Sequence, residues 1–271
     1  MLKSGKKHKV QFLYRPGHYM SEEKARELVK KLRDTASTCF NEVPEYQVMK
    51  GGKEELADKV LTVAWNTDGT IAGFCSTLEL DVKGVGKVLH LGLTCVRPEA
   101  RSGGLTMILT KKAVLGYVLR NRLVGKLWVT NCAAVLSSLG SVSLNFEGVY
   151  PSPFDKPVPT KKHRLIAEAI DRYYRDKIYI NDYARFDNNA FVFRKSVKDT
   201  VFQKSAHDSR YHHRMDQINR YYGSLMNFDD GDEVLQVGFV TSLTALVHLY
   251  RRHKLLSMMS DKSPEKAVKA G

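Results

Sequence analysis

The segment from Val88 to Arg122 leaves few ways for this chain to fold. It joins an alternating apolar strand to an apolar helix through a turn holding two consecutive glycines. On an extended chain Leu89, Leu91, Leu93 and Cys95 share one side, and Val88, His90, Gly92, Thr94 and Val96 share the other. After the turn RPEARSGG, the residues Leu105, Ile108, Leu109, Leu115 and Leu119 recur at helical spacing. A strand feeding straight into a packed helix belongs to a layered α/β structure.

The flanking sequence extends this pattern. Residues 10–15 read as a strand closed by Pro16 and Gly17. Ser21 stands at a helix N-cap, with Glu22 and Glu23 in the first turn. Ala25, Leu28, Val29, Leu32, Ala36 and Phe40 then form one apolar face, and Gly51 and Gly52 mark a break. Residues 61–66 and 70–82 flank Asp68-Gly69, the dipeptide of a tight hairpin. Residues 127–131 read as a strand, and 132–140 as a short helix ending at Gly140. Beyond the proline-rich stretch 151–159, helices are expected at 161–177, 207–225 and 242–256, with strands at 190–197 and 233–240. The expected organisation is a core over 1–155, a second part over 156–257 that completes the sheet and the acceptor site with extra helices, and a flexible tail over 258–271.

A chain of 271 residues can bury a sizeable core, and 43% hydrophobic with 27% charged residues is ordinary for a globular protein. Four scattered cysteines, without a C-x-x-C pair, imply no disulfide framework. No run reaches the roughly 18 apolar residues of a spanning helix. The N-terminus carries positive charge but lacks the apolar stretch of a signal peptide, so a cytoplasmic location is expected. The net charge of +14 favours polyanionic partners in general, whether nucleic acid, anionic membrane or a phosphate-rich coenzyme.

The glycine turn suits one class of these partners, a phosphate-bearing ligand. Gly103 and Gly104 let the backbone approach a ligand closely, and the unpaired N–H groups opening the next helix aim at it. A pyrophosphate is the natural occupant. At these residues the chain resembles the GNAT superfamily of acyl-CoA-dependent N-acyltransferases, whose signature is Arg/Gln-x-x-Gly-x-Gly/Ala. Arg101, Gly104 and Thr106 fall on it, with Thr106 in place of the usual small residue. The order of elements over 10–140, and Asn131 and Ala134 before Gly140, also resemble the family.

The resemblance implies a mixed, mostly antiparallel sheet flanked by helices, an α/β (α+β) fold with a C-terminal extension. It implies acetyl-CoA or another acyl-CoA as co-substrate. Backbone groups of Cys95 and Val96 would pair with the pantetheine arm, and those of Arg101, Ser102, Gly103, Gly104, Leu105 and Thr106 would hold the pyrophosphate. Asn131 would touch the same arm. The expected acceptor is a primary amine on a small molecule or a peptide, with acetyl the first acyl group to consider.

Aminolysis of a thioester needs a neutral amine, and His90, on the strand before the turn, is the first candidate for general base. Glu79 is the second. The tyrosine with which many family members protonate the leaving thiolate is missing, since its position falls near Ser138. Ser137, Ser138 or Tyr150 could serve, or the chain could rely on binding and polarisation alone, with backbone near Cys95 as an oxyanion donor. That departure and Thr106 motivate one rival, a module that binds acyl-CoA without turnover. The charge motivates another, a basic protein that binds nucleic acid or a membrane surface. Neither the histidines over 207–213 nor Asp229, Asp230 and Asp232 have metal-ligand spacing.

Overall fold

Strand pairing across one parallel step organises the protein. The computed structural model describes residues 8–101, 103–154, 158–241 and 244. The strands are β1 (Lys9–Tyr14), β2 (Lys59–Trp65), β3 (Ile71–Val82), β4 (Gly86–Val96), β5 (Lys126–Ala133), β6 (Glu147–Tyr150), β7 (Arg185–Asp187), β8 (Val192–Arg194) and β9 (Glu233–Thr241). The helices are α1 (Glu22–Ala36), α2 (Gly52–Glu55), α3 (Leu105–Arg120), α4 (Leu136–Asn145), α5 (Lys161–Tyr173) and α6 (Asp216–Leu225). One sheet runs in the order β1-β2-β3-β4-β5-β9-β8-β7, with β6 also paired to β9. Every pairing is antiparallel except β4 with β5. This is the mixed, mostly antiparallel, helix-flanked sheet that the resemblance implied. The strands of the second half continue the same sheet through β9.

Local chemistry accounts for the elements. Ser21 caps α1 by accepting from the Lys24 N–H, and Glu22 and Glu23 complement the helix dipole. Asp68 accepts from the Thr70 N–H at 2.9 Å, and Gly69, at φ 81°, closes the β2–β3 hairpin. Thr160 and His163 form a capping box at the start of α5.

Parity along β3 then sorts the layers. Phe74 packs with the α1 residues Leu28 and Leu32, and Leu78, on the same side, packs with Ile166 and Ile170 of α5. Cys75, on the opposite side, packs with Leu105 and Leu109 of α3. Leu89 and Leu91 join Val114 and Val118 of α3 and Val142 of α4. Fully burying a leucine such as Leu109 contributes about 1.5–3 kcal/mol.

Several elements differ from their sequence expectation. The buried face of α3 holds Leu105, Leu109, Ala113, Val114, Tyr117 and Val118, while Ile108 and Leu119 are 42% and 51% exposed. The helix is apolar on most sides, so periodicity alone does not select its buried stripe. Cys132 and Ala133 extend β5, and α4 passes through Gly140. There a Cβ would lie 2.8 Å from His213, so Gly140 serves close packing rather than a helix end.

The expected helix over 207–225 is α-helical only in α6, with a single 3-10 turn at Ser209–Tyr211 before it. Asn219 bonds both the N–H and the carbonyl of His213, and Asp208 bonds the Arg210 N–H, which draws this backbone into loops. The expected strand over 190–197 shrinks to β8, and β6 and β7 were not anticipated. The expected helix over 242–256 and the tail over 258–271 lie outside the described residues.

Candidate active site

The parallel pairing of β4 with β5 covers only Val88–Leu91 against Trp128–Asn131. Just past it, β4 advances from Leu91 to Thr94 while its other neighbour, β3, advances only from Thr77 to Cys75. The extra residue is a bulge at Gly92–Leu93, and a bulge bends its strand. Gly92 is required there, since a Cβ would lie 2.2 Å from Gln47 Nε2. Gln47 is itself fixed, donating to Tyr46 Oη and accepting from Ser76 Oγ, both at 2.7 Å.

The bulge also reverses the alternation. Leu89 and Leu91 face α3, whereas Leu93 and Cys95 join the α1 core. The expected single row from Leu89 to Cys95 is therefore broken at Gly92, because an inserted residue shifts the period-two phase.

Beyond the bulge, β4 and β5 do not pair with each other, and a cavity of about 1220 Å³ opens between them. Its lining includes Thr106, Ile108 and Ser138 on the α3–α4 side, and Cys39, Tyr46 and Glu233 on the α1 side. The cavity thus crosses the sheet through the gap.

At the α3 end, Gly104 caps the helix at φ 69°, and a Cβ at Gly103 or Gly104 would meet nothing within 4 Å. Gly104, Thr106 and Val96 line the cavity, Leu105 turns into the core, and Ser102 lies outside the described residues. Arg101 also lines it, donating through Nε to the Val96 carbonyl at 3.1 Å, with Nη2 3.7 Å from Cys39 Sγ. Lys111 and Lys112, which sequence reasoning missed, add two cations to this lining. The lysine pair in the helix after the turn was the available signal. Glycine backbone, a helix N-terminus and three cations together make this end of the cavity electropositive.

On β5, Asn131 is buried, lines the cavity and donates to Gln236 Oε1 at 3.1 Å. Ser137 and Ser138, in the first turn of α4, line the same cavity.

The α1 side carries a row of polar groups. His90 is buried, with Nδ1 3.0 Å from Thr130 Oγ1, and burial depresses its pKa to about 3. Next along the row, Glu233 accepts from Ser196 Oγ at 2.6 Å and from Cys132 Sγ at 3.7 Å. Burial pushes the Glu233 carboxyl up to about 7. Lys204 lines the same side, and burial lowers its pKa. Cys39 is held down to about 6, mainly by hydrogen bonding with the Cys95 thiol and secondarily with Thr38 and Arg101. Cys95 itself is buried in the α1 core, so only its backbone belongs to the open edge.

Two candidate residues stand apart from this cavity. Glu79 is bound by Arg15 at 2.6 Å, by Lys87 at 3.2 Å and by the Tyr117 hydroxyl at 2.5 Å. Tyr150 donates its hydroxyl to the Asn189 carbonyl at 2.6 Å and packs on Phe191. Neither is among the lining residues. Glu233 was missed as a candidate because its chemistry depends on Ser196, Cys132 and burial, none of which its sequence neighbours announce. Among the described residues no three His, Cys, Asp or Glu side chains converge to hold a metal ion, and no helix is long and apolar enough to cross a membrane.

A scan against protein-family models and a search of curated proteins each find no match. Among solved structures the chain is similar to Tetrahymena GCN5, at 12% identity and a TM-score of 0.36, covering 55% of this chain and 84% of that one. It is similar to Arabidopsis thaliana NAA60 in complex with a bisubstrate analogue, at 13% identity and 0.36, covering 51% and 84%. An aminoglycoside acetyltransferase from an uncultured soil metagenomic sample matches at 13% identity and 0.33, covering 42% and 72%. The resemblance to GNAT acetyltransferases is partial and spans about half of this chain.

Proposed function

We propose that this protein transfers an acyl group, acetyl first among those to test, from acyl-CoA directly to a primary amine. The observation that carries this reading is the cavity that crosses the sheet where β4 leaves β5, with a glycine-capped helix at one end and a buried carboxylate at the other. The unpaired edge of β4 offers backbone groups to the pantetheine arm. Arg101, Gly103, Gly104, Thr106 and the N-terminus of α3 receive the pyrophosphate, with Lys111 and Lys112 nearby. The free cysteines fit a reducing compartment such as the cytoplasm.

The amine enters from the α1 side. Holding an amine of pKa about 10.4 neutral at pH 7 costs roughly 4–5 kcal/mol. Glu233, with a pKa of about 7, is matched to take that proton, whereas His90, at about 3, has little proton affinity at neutral pH. The amine nitrogen forms its bond to the thioester carbonyl carbon, Glu233 takes the ammonium proton, and the C–S bond breaks as the amide forms. The departing thiolate is stabilised by a hydrogen bond from the hydroxyl of Ser138, or of Ser137 beside it, and takes its proton from solvent. Glu233 returns the proton it accepted to solvent.

Thermal unfolding with acetyl-CoA, a long-chain acyl-CoA and adenosine diphosphate tests the coenzyme half of this reading. A ligand at about 100 times its dissociation constant adds roughly 2.7 kcal/mol, enough to raise the midpoint visibly. No shift with any of the three would remove the basis of the proposal.

A further inference from the structure

The α1 side of the cavity contains two opposite charges that feel each other through space but make no ion-pair contact with each other or with any other described residue. Glu233 is 8% exposed, and no cation lies within 4.0 Å of its carboxylate among the described residues. Five cations line the cavity: Arg101, Lys111, Lys112, Lys204 and Arg210. The first three belong to the glycine turn and α3, and Arg210 is paired with Asp208 at 2.5 Å. Lys204 remains. Its ammonium donates to the Val201 carbonyl at 2.8 Å and lies 5.9 Å from the Phe40 ring and 5.2 Å from the Tyr211 ring. No carboxylate is within ion-pair distance of it among the described residues.

Between these charges the wall is aromatic. Phe202 packs against Phe40, Tyr46 and Tyr179 at centroid separations of 5.4, 5.6 and 5.0 Å. All four rings line the cavity. Glu233 is buried and Lys204 half-buried, and two opposite charges held apart in one chamber without direct contact are complementary to a ligand that brings an ion-pair partner to each.

We propose that the acceptor is an amino acid with an apolar side chain, its amine directed to Glu233, its carboxylate to Lys204 and its side chain against the aromatic wall. This rests on the transferase reading and goes beyond it by naming the acceptor class. A simple amine satisfies Glu233 alone and leaves Lys204 without an anion in direct contact. A peptide with the same first residue replaces the carboxylate by a neutral amide.

The test compares each amino acid with the amine that lacks only its carboxylate: phenylalanine with phenethylamine, and leucine with isoamylamine. Thiol release from acetyl-CoA gives kcat/KM, and calorimetry in the presence of coenzyme A gives binding without turnover. Wild-type protein should prefer the amino acid about 10- to 100-fold, the range of a charge-assisted hydrogen bond. Lys204→Met should collapse that ratio toward one, and Lys204→Arg should keep most of it. Equal use of amine and amino acid by the wild type, or a ratio unchanged in Lys204→Met, overturns the assignment while leaving transfer intact. Amino-acid binding that depends on Lys204 but gives no thiol release upholds the acceptor site and sinks the transferase reading instead. Absence of both binding and turnover with every amino acid overturns the assignment.

Discussion

The two sides of the sheet at the β4–β5 gap are built in different ways. On the α3 side the electropositive end is lined by residues close together in sequence, Val96, Arg101, Gly104, Thr106, Lys111 and Lys112, around the start of α3. On the α1 side the working groups come from Cys39, Tyr46, His90, Tyr179, Lys204 and Glu233, spread across most of the described chain. Backbone donors at a helix start need only the correct local conformation, so a short sequence can encode them. A carboxyl tuned to about 7 needs desolvation by distant segments, so no short sequence can.

The largest effect that tests this contrast is expected from Glu233→Gln. Removing a general base should lower kcat by about 10²- to 10⁴-fold while leaving the thermal shift with coenzyme unchanged. An equal loss of coenzyme binding would show that the two sides do not work separately.

The wild-type pH profile sharpens the same point. With Glu233 as base, kcat/KM should rise with pH through about 7, since only the carboxylate accepts the proton. Stability should move the opposite way. The folded carboxyl keeps its proton up to about 7 while the unfolded one releases it near 4.5, so this group's stabilising share is present at low pH and is lost as pH rises through 7. Above that pH, Glu233→Gln should be the more stable protein, by up to about 3 kcal/mol in chemical denaturation.

A smaller effect is expected on the other side. Gly104→Val forces a β-branched residue to φ 69°, at a cost of roughly 1–3 kcal/mol. That strain should weaken the coenzyme-induced thermal shift and leave the pH midpoint set by Glu233 in place. The smallest expected effect is from Tyr150→Phe, which removes the bond to the Asn189 carbonyl. Stability should drop by about 1 kcal/mol, with kcat unchanged. A large loss of kcat would bring Tyr150 back as the proton donor.

Particular residues show where the sequence was readable. Ser21, Asp68-Gly69 and Gly104 act through their own backbone or their nearest neighbours, and each sits where the sequence placed it. Alternation along β4 was readable up to Leu91 and misleading after it, because the bulge shifts the phase at Gly92, where Gln47 packs close from the separate 3-10 turn Gln47–Met49. Glu79 looked as available as any carboxylate on a strand, yet Arg15, Lys87 and Tyr117 occupy it. The loops over 195–215 follow side-chain bonds to backbone that periodicity does not register.

By itself, then, the sequence determined the order of the strands and of α1 and α3 through β5, though not the short α2, and the glycine-capped start of α3. These depend on dihedral preferences and spacing within a few residues. Only the tertiary structure decided that the gap opens at Leu91, that His90 is held neutral, and that Glu233 and Lys204 face one chamber. Burial and charge are set by whatever packs nearby in space, and the groups that pack around Glu233 reach it from segments far from it in the chain.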